Sequence, residues 1–169
     1  MRSKIRIRDK NRIPQAISSA DSFNGRRVRV GYFGSGHTQM LAAVHEFGVD
    51  IQVTDKMRGF FRYKFGISLK KTTTHIKIPE RSFIRAGWDE HGPAIVEKYQ
   101  RLIGEAILNG VPADALLYAL ALEAKGKLQD FARDLKDPPN VELTVREKGS
   151  SNPLVDTGNM IGSMDHKLE

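Results

Sequence analysis

Hydrophobic and polar positions along the chain change period several times, and each change predicts an element. Arg26 to Phe33 alternates basic and apolar residues at its start, which is strand spacing. The glycine-rich Gly34-Ser35-Gly36 breaks it. Thr38 to Phe47 has helical spacing, with Leu41, Val44 and Phe47 on one side and Gly48 as its stop. Thr54 is a good N-cap for a second helix in which Met57, Phe60, Phe61 and Phe65 recur at helical intervals before Gly66. The β-branched run Thr72 to Ile78 predicts a strand ended by Pro79.

Two long stripes follow. Pro93 suits the first turn of a helix carrying Ile95, Tyr99, Leu102, Ile103 and Ala106 inward as far as Asn109-Gly110. Pro112 opens another, with Leu117, Leu120, Ala124, Leu128, Phe131 and Leu135 on one face, ended at Asp137-Pro138-Pro139. Val141, Leu143 and Val145 alternate and predict a short strand. A short helix is expected after Asp156, and a terminal strand or frayed end over Asp165 to Glu169. Pro14 to Gly25, polar and rich in small residues, reads as a linker or a short turn of helix. The expected class is α+β: a small, mostly antiparallel sheet packed against two long helices, preceded by an extended basic N-terminal arm. Residues 1–24 form arm and linker, and 25–169 form one domain.

Charge sharpens the reading of the arm. The net charge of the 169 residues is +7, and residues 1–13 account for +5 of it, with six cations and Asp9. Arg2, Lys4, Arg6, Arg8, Lys10 and Arg12 occupy every even position, while Ile5, Ile7 and Ile13 are odd. A strand would place all six cations on one face; a helix would scatter them. Such an arm is suited to adding a strand to a neighbouring subunit's sheet edge, or to contacting DNA phosphate non-specifically. No aromatic residue interleaves the cations, so base stacking is not expected.

Composition removes other classes. No cysteine is present, which excludes disulfides, thiolate nucleophiles and cysteine metal sites. No apolar run approaches the about 20 residues that cross a bilayer. The basic N-terminus lacks an apolar segment behind it, so neither a membrane partner nor a secretory leader is expected.

Three motifs fall short of catalytic signatures. Gly31 to Thr38, GYFGSGHT, has the frame of a phosphate-binding loop, but His37 stands where the lysine is needed. His45-Glu46 begins a zinc-protease pattern whose second histidine position holds Val49. Asp156-Thr157-Gly158 is the tripeptide of retroviral-type aspartic proteases, yet only eleven residues follow it, too few for the β-rich body those enzymes need. The simpler reading makes Asp156 or Thr157 a helix cap, with Asp156 accepting backbone N–H groups. No cofactor and no metal is expected, and no catalytic residue is assigned.

Three blocks carry a family resemblance: HEFGVDIQVTDKMRGFF from His45, HIKIPERSFIRAGWDE from His75, and NPLVDTGNMIGSM from Asn152. In that order they resemble the tail-completion and virion-morphogenesis proteins of tailed bacteriophages, over roughly residues 40 to 169. Ile78, Pro79, Arg81, Phe83 and Ile84 match the central signature most closely. Ser82 stands where proline is commoner in the family, which bears on the turn geometry there. The resemblance implies a non-enzymatic virion protein of the neck or head-proximal tail, made in the bacterial host cytoplasm. It implies a sixfold homo-oligomeric ring that meets tail terminator or tail tube proteins on one side and head–tail connector proteins on the other. Arg81, Arg85 and Trp88 are candidate subunit contacts, since arginine and tryptophan dominate protein interfaces. The six arm cations, Asp156 and Thr157 complete the candidate interface set. A DNA-binding module that uses the arm is the alternative.

Overall fold

A computed structural model describes residues 11–34 and 36–169. Helix α1, Ile13–Phe23, leads to strand β1, Val28–Gly31, and helix α2, His37–Phe47. Strand β2, Val49–Gln52, helix α3, Asp55–Phe65, and strand β3, His75–Ile78, follow. The long helices are α4, Arg85–Asn109, and α5, Ala113–Asp134. Helices α6, Glu142–Lys148, and α7, Asn159–Gly162, and strand β4, Asp165–Leu168, complete the described chain.

The class is α+β, as the patterning indicates, with small antiparallel pairing beside two long helices. The strands form two separate pairs. Strand β1 runs antiparallel to β4, with Val28 opposite Leu168 and Gly31 opposite Asp165. Strand β2 runs antiparallel to β3, with Val49 opposite Ile78 and Ile51 opposite Ile76.

Helices α4 and α5 pack along their length because small residues permit close approach. Ala113, Ala121, Ala124 and Ala132 are buried on α5. A Cβ on Gly87 of α4 would lie 3.0 Å from Leu128 and 3.1 Å from Phe131. Phe83, Leu128, Leu154, Ile161 and Met164 form the larger core cluster, and Ile95, Tyr99 and Ala124 a smaller one. The Tyr32 and Phe83 rings stand edge to face with centroids 6.2 Å apart, and the Tyr32 hydroxyl donates to the Met160 carbonyl at 2.9 Å. Burial, with the Glu46 carboxylate adding to it, pushes the Tyr32 phenol up to about 12, so it stays a donor.

Four local expectations are corrected. Pro14 to Gly25 lies mostly in α1, where buried Ser19 donates to the Val111 carbonyl at 2.6 Å and ties the helix to the α4–α5 turn. Helix α4 begins at Arg85, two turns before Pro93, because a carboxylate from α2 satisfies its first N–H groups. Residues 142–148 are helical: Glu142 in the first turn and Arg146 and Lys148 in the last complement the helix dipole, and Gly149 at φ +68° closes it. Those signals outweigh three alternating apolar positions. Strand β2 was hidden in the short alternation of Val49, Ile51 and Val53 between two helices.

Candidate functional site

Glu46 in the last turn of α2 is 3% exposed, and its position organises the site. Its carboxylate accepts from the backbone N–H groups of Phe83 at 2.9 Å, Ile84 at 2.8 Å and Arg85 at 3.0 Å. The Ser82 hydroxyl and the Arg85 Nε donate to it as well, each at 2.9 Å. An anion on the N-terminal N–H groups of a 25-residue helix is favoured by both hydrogen bonding and the helix dipole. Burial works against ionisation of Glu46, but these donors outweigh it and hold the carboxyl below its ordinary range.

Arg81 is the second centre. The sequence suggests a surface contact; the side chain is buried instead, at 4% exposure. Its Nε donates to the Pro138 carbonyl at 2.6 Å, and its Nη2 to the Pro139 carbonyl at 3.0 Å and Asn140 Oδ1 at 3.2 Å. Its backbone N–H donates to the His45 carbonyl at 2.7 Å. The planar guanidinium thus clamps the α5–α6 connection to the end of α2, a fork geometry that lysine lacks. Nη1 stands 3.5 Å from His45 Nδ1. Burial first, then the positive charges of Arg81 and Lys148, holds the His45 imidazole down to about 4, so it is neutral near pH 7.

Arg85 is half-exposed and already engaged within the chain. Besides Glu46 Oε1, its Nη2 reaches the Glu46 carbonyl at 2.8 Å and Glu80 Oε1 at 2.7 Å. Its guanidinium lies 4.8 Å from the Phe47 ring, so Phe47 sits outside under a cation rather than on the buried side of α2. Trp88 does stand at the surface, 42% exposed. Ser82 donates to Glu46, and Ile84 holds the N-cap position of α4.

The corner after Asn152 is built differently from the expectation. Asn152 Oδ1 accepts from the N–H groups of Leu154 at 2.9 Å and Val155 at 3.0 Å. Gly158, which has no side chain to cap with, is the N-cap of α7, so neither Asp156 nor Thr157 holds that position and Asp156 does not have the predicted capping role. Thr157 Oγ1 accepts from the Asn159 N–H at 3.4 Å. Both Asp156 and Thr157 are exposed. Lys148 Nζ donates to the Asn152 and Pro153 carbonyls, each at 3.2 Å, and brings α6 onto this corner.

The segments around His45, Arg81 and Asn152 therefore meet in one place. Between α2 and the corner at residues 148–160 lies a hollow of about 340 Å³ whose walls include His37, His45, Lys148, Asp156 and Thr157. Among the described residues no group of three or more histidine or acidic side chains is arranged to hold a metal ion. Gly36 precedes α2 with extended backbone and His37 begins that helix, so the glycine-rich segment is a strand-to-helix joint.

Every residue from Phe47 to Glu80 is exposed or half-buried. Residues 49–78 carry seven lysines and arginines against Asp50 and Asp55, a net of +5. Phe60, Phe61 and Phe65 pack on one another at centroid distances of 5.6–6.1 Å. Arg58 donates to the carbonyls of Leu69, Lys70 and Thr73 and so fixes the loop between α3 and β3. Sequence patterning finds these aromatics as a helix stripe but not their exposed setting.

Of the arm cations, Arg12 is exposed and right-handed helical rather than extended, and its carbonyl accepts from Ala16 at 2.9 Å. Arg2, Lys4, Arg6, Arg8 and Lys10 lie outside the described residues. Among the described residues no helix is long and apolar enough to cross a membrane. No family model, curated protein or solved structure matches this chain.

Proposed function

We propose that the protein is a structural component of a tailed-phage virion that completes the tail or joins it to the head. It acts as a homo-oligomeric ring between tail terminator or tail tube proteins and head–tail connector proteins, with sixfold symmetry. The observation that carries this reading is the convergence of the three family-like blocks. Strand β2 of the first pairs with β3 of the second. Glu46 of the first caps the helix that begins in the second. Arg81 of the second binds Asn140, whose Nδ2 donates to the Asn152 carbonyl of the third at 3.4 Å. Residues that resemble one family in sequence order thus depend on one another in space.

The polar chemistry of this centre supports a scaffold role. Glu46 has both carboxylate oxygens occupied by donors from its own chain, and the Arg81 guanidinium is spent on carbonyls. A closed ring is the economical form, because a rotationally repeated interface saturates itself. Light scattering on the purified protein, together with immunogold labelling of intact virions, tests the proposal. A multimer of about six copies and label at the head–tail junction are expected. Label confined to lysate, with unlabelled particles, contradicts it.

A second reading, contact with DNA phosphate, draws on the +5 charge of residues 49–78 and the +5 of residues 1–13. It predicts duplex binding with weak sequence preference and a steep loss with salt. Duplex titrations at two salt concentrations measure it, and an absence of binding at low salt removes it.

A further inference from the structure

Among the described residues β1 pairs with β4 alone, so its other edge carries unpaired backbone groups. Beside that edge lies a groove of about 690 Å³. All four residues of β1, Val28 to Gly31, line it and those of β4 do not, which places it on the side of β1 away from β4. Its far wall is apolar, formed by Trp88, Val96 and Ile103 of α4, and its floor by Leu117 and Leu120 of α5. An open strand edge over an apolar trough has the geometry that accepts an added strand: main-chain bonds on one side, alternate side chains pointing down.

We propose that this groove receives residues 3–9 of a neighbouring copy of the chain as a third strand beside β1. The inference rests on the ring reading above and names the contact that would close the ring. Ile5 and Ile7 are spaced as alternate residues of a strand and would enter the trough, leaving Lys4, Arg6 and Arg8 outward. Acidic groups stand where those cations emerge: Asp89 and Glu97, both exposed, line the adjoining hollow that shares Trp88, Val96 and Gln100 with the groove. The four residues of β1 span about 13 Å, enough for both isoleucines.

The position of α1 argues for a neighbour's arm rather than the chain's own. Ser19 bonds the carbonyls of Ala106 and Val111, and Gln15 lies against Gly110. Toward its N-terminus the helix therefore moves along α4 past Gly110, away from Val96 and Trp88. Val96 lies about 21 Å along α4 from Gly110 at 1.5 Å per residue. Ile7 is four residues from Asn11, a reach of about 14 Å. The chain's own Ile7 falls short of Val96; a neighbour's arm has no such limit.

The chain has no cysteine, so single substitutions report the contact cleanly. Full-length Ile7→Cys and Val96→Cys proteins, one carrying a mass tag, are mixed and mildly oxidised, with Ile5→Cys run in parallel to cover the register. The expected result is a disulfide-linked heterodimer of tagged and untagged chains, and a covalent ladder from the double variant. Full-length Ile5→Lys/Ile7→Lys, which keeps the basic character, is expected to lose the multimer while its circular dichroism is unchanged. The single tryptophan should also shift to shorter wavelength on assembly, because Trp88 lines the groove. A multimeric wild-type protein that gives no heterodimer, or whose lysine variant remains multimeric, overturns the inference and leaves the ring standing. A wild-type protein that stays monomeric and is absent from virions overturns both.

Discussion

Glu46 accepts the backbone N–H of Phe83 at 2.9 Å, joining the end of α2 to the start of α4 across 37 residues of sequence. Phe83 is fully buried at that point, so water does not replace the bond. Replacing Glu46 by alanine would leave the buried N–H of Phe83 and the partly buried N–H of Ile84 without their acceptor. The expected cost is roughly 2–4 kcal/mol, read as a lowered urea midpoint with an unchanged slope. Glutamine keeps one acceptor oxygen and should lose less. An unchanged midpoint in the alanine variant would remove Glu46 from its organising role.

Acid should loosen the same joint in two stages. The folded-state pKa of His45 is depressed to about 4 from an ordinary value of 6.5, so unfolding takes up a proton between those values. Its contribution to stability is complete above pH 6.5 and is lost as pH falls toward 4. Glu46, also depressed, adds a loss that begins below its ordinary value of 4.5 and continues as pH falls through its folded value. Thermal melts from pH 7.5 to 4 should decline first in the upper window, and His45→Gln should flatten that part. A wild-type melting temperature that is constant from pH 7 to 5 contradicts the assignment.

Two glycines separate a backbone constraint from a side-chain one. A Cβ on Gly48 would stand 2.8 Å from the backbone nitrogen of Glu80, and the residue has φ +68° and ψ 171°, a region other residues rarely enter. Gly48→Ala should therefore cost about 2 kcal/mol or more. The three atoms nearest a Cβ on Gly92 all belong to the indole of Trp88, at 2.7–3.0 Å, and that ring is partly exposed, so a side chain rather than backbone has to give way. Alanine also regains about 0.8 kcal/mol of helix propensity there. Gly92→Ala should change stability by less than about 1 kcal/mol while altering the fluorescence of the single tryptophan. Equal destabilisation by the two variants would contradict this distinction.

At the C-terminal corner the predicted order of importance reverses the sequence expectation. Asn152→Ala removes the acceptor for two backbone N–H groups and should cost about 1–2 kcal/mol. Asp156→Ala, at an exposed position, should stay within about 0.5 kcal/mol. Chemical denaturation of both variants checks the ranking, and a larger loss at Asp156 contradicts it.

Residues whose chemistry acts locally were legible in the sequence. Thr54 accepts from the Met57 N–H, Gly66 closes α3 in the left-handed conformation, and Ile95, Tyr99, Leu117, Ala124 and Leu128 face inward with helical spacing. Misplaced elements depended on distant partners. Nothing near Arg85 announces that Glu46 will cap its helix, so Pro93 looked like the start. Arg81 reads as a surface residue until the Pro138 and Pro139 carbonyls are brought over it. Glu46 was visible only as half of a failed metal motif, because a lone glutamate in the last turn of a helix carries no local sign of burial.

The central claim, that this chain completes or joins the tail, is tested most directly in a phage that lacks its gene. The account predicts filled heads and separate tails in the lysate, visible by electron microscopy, with infectious particles recovered when purified wild-type protein is added. Complete, infectious virions formed without the protein would contradict it.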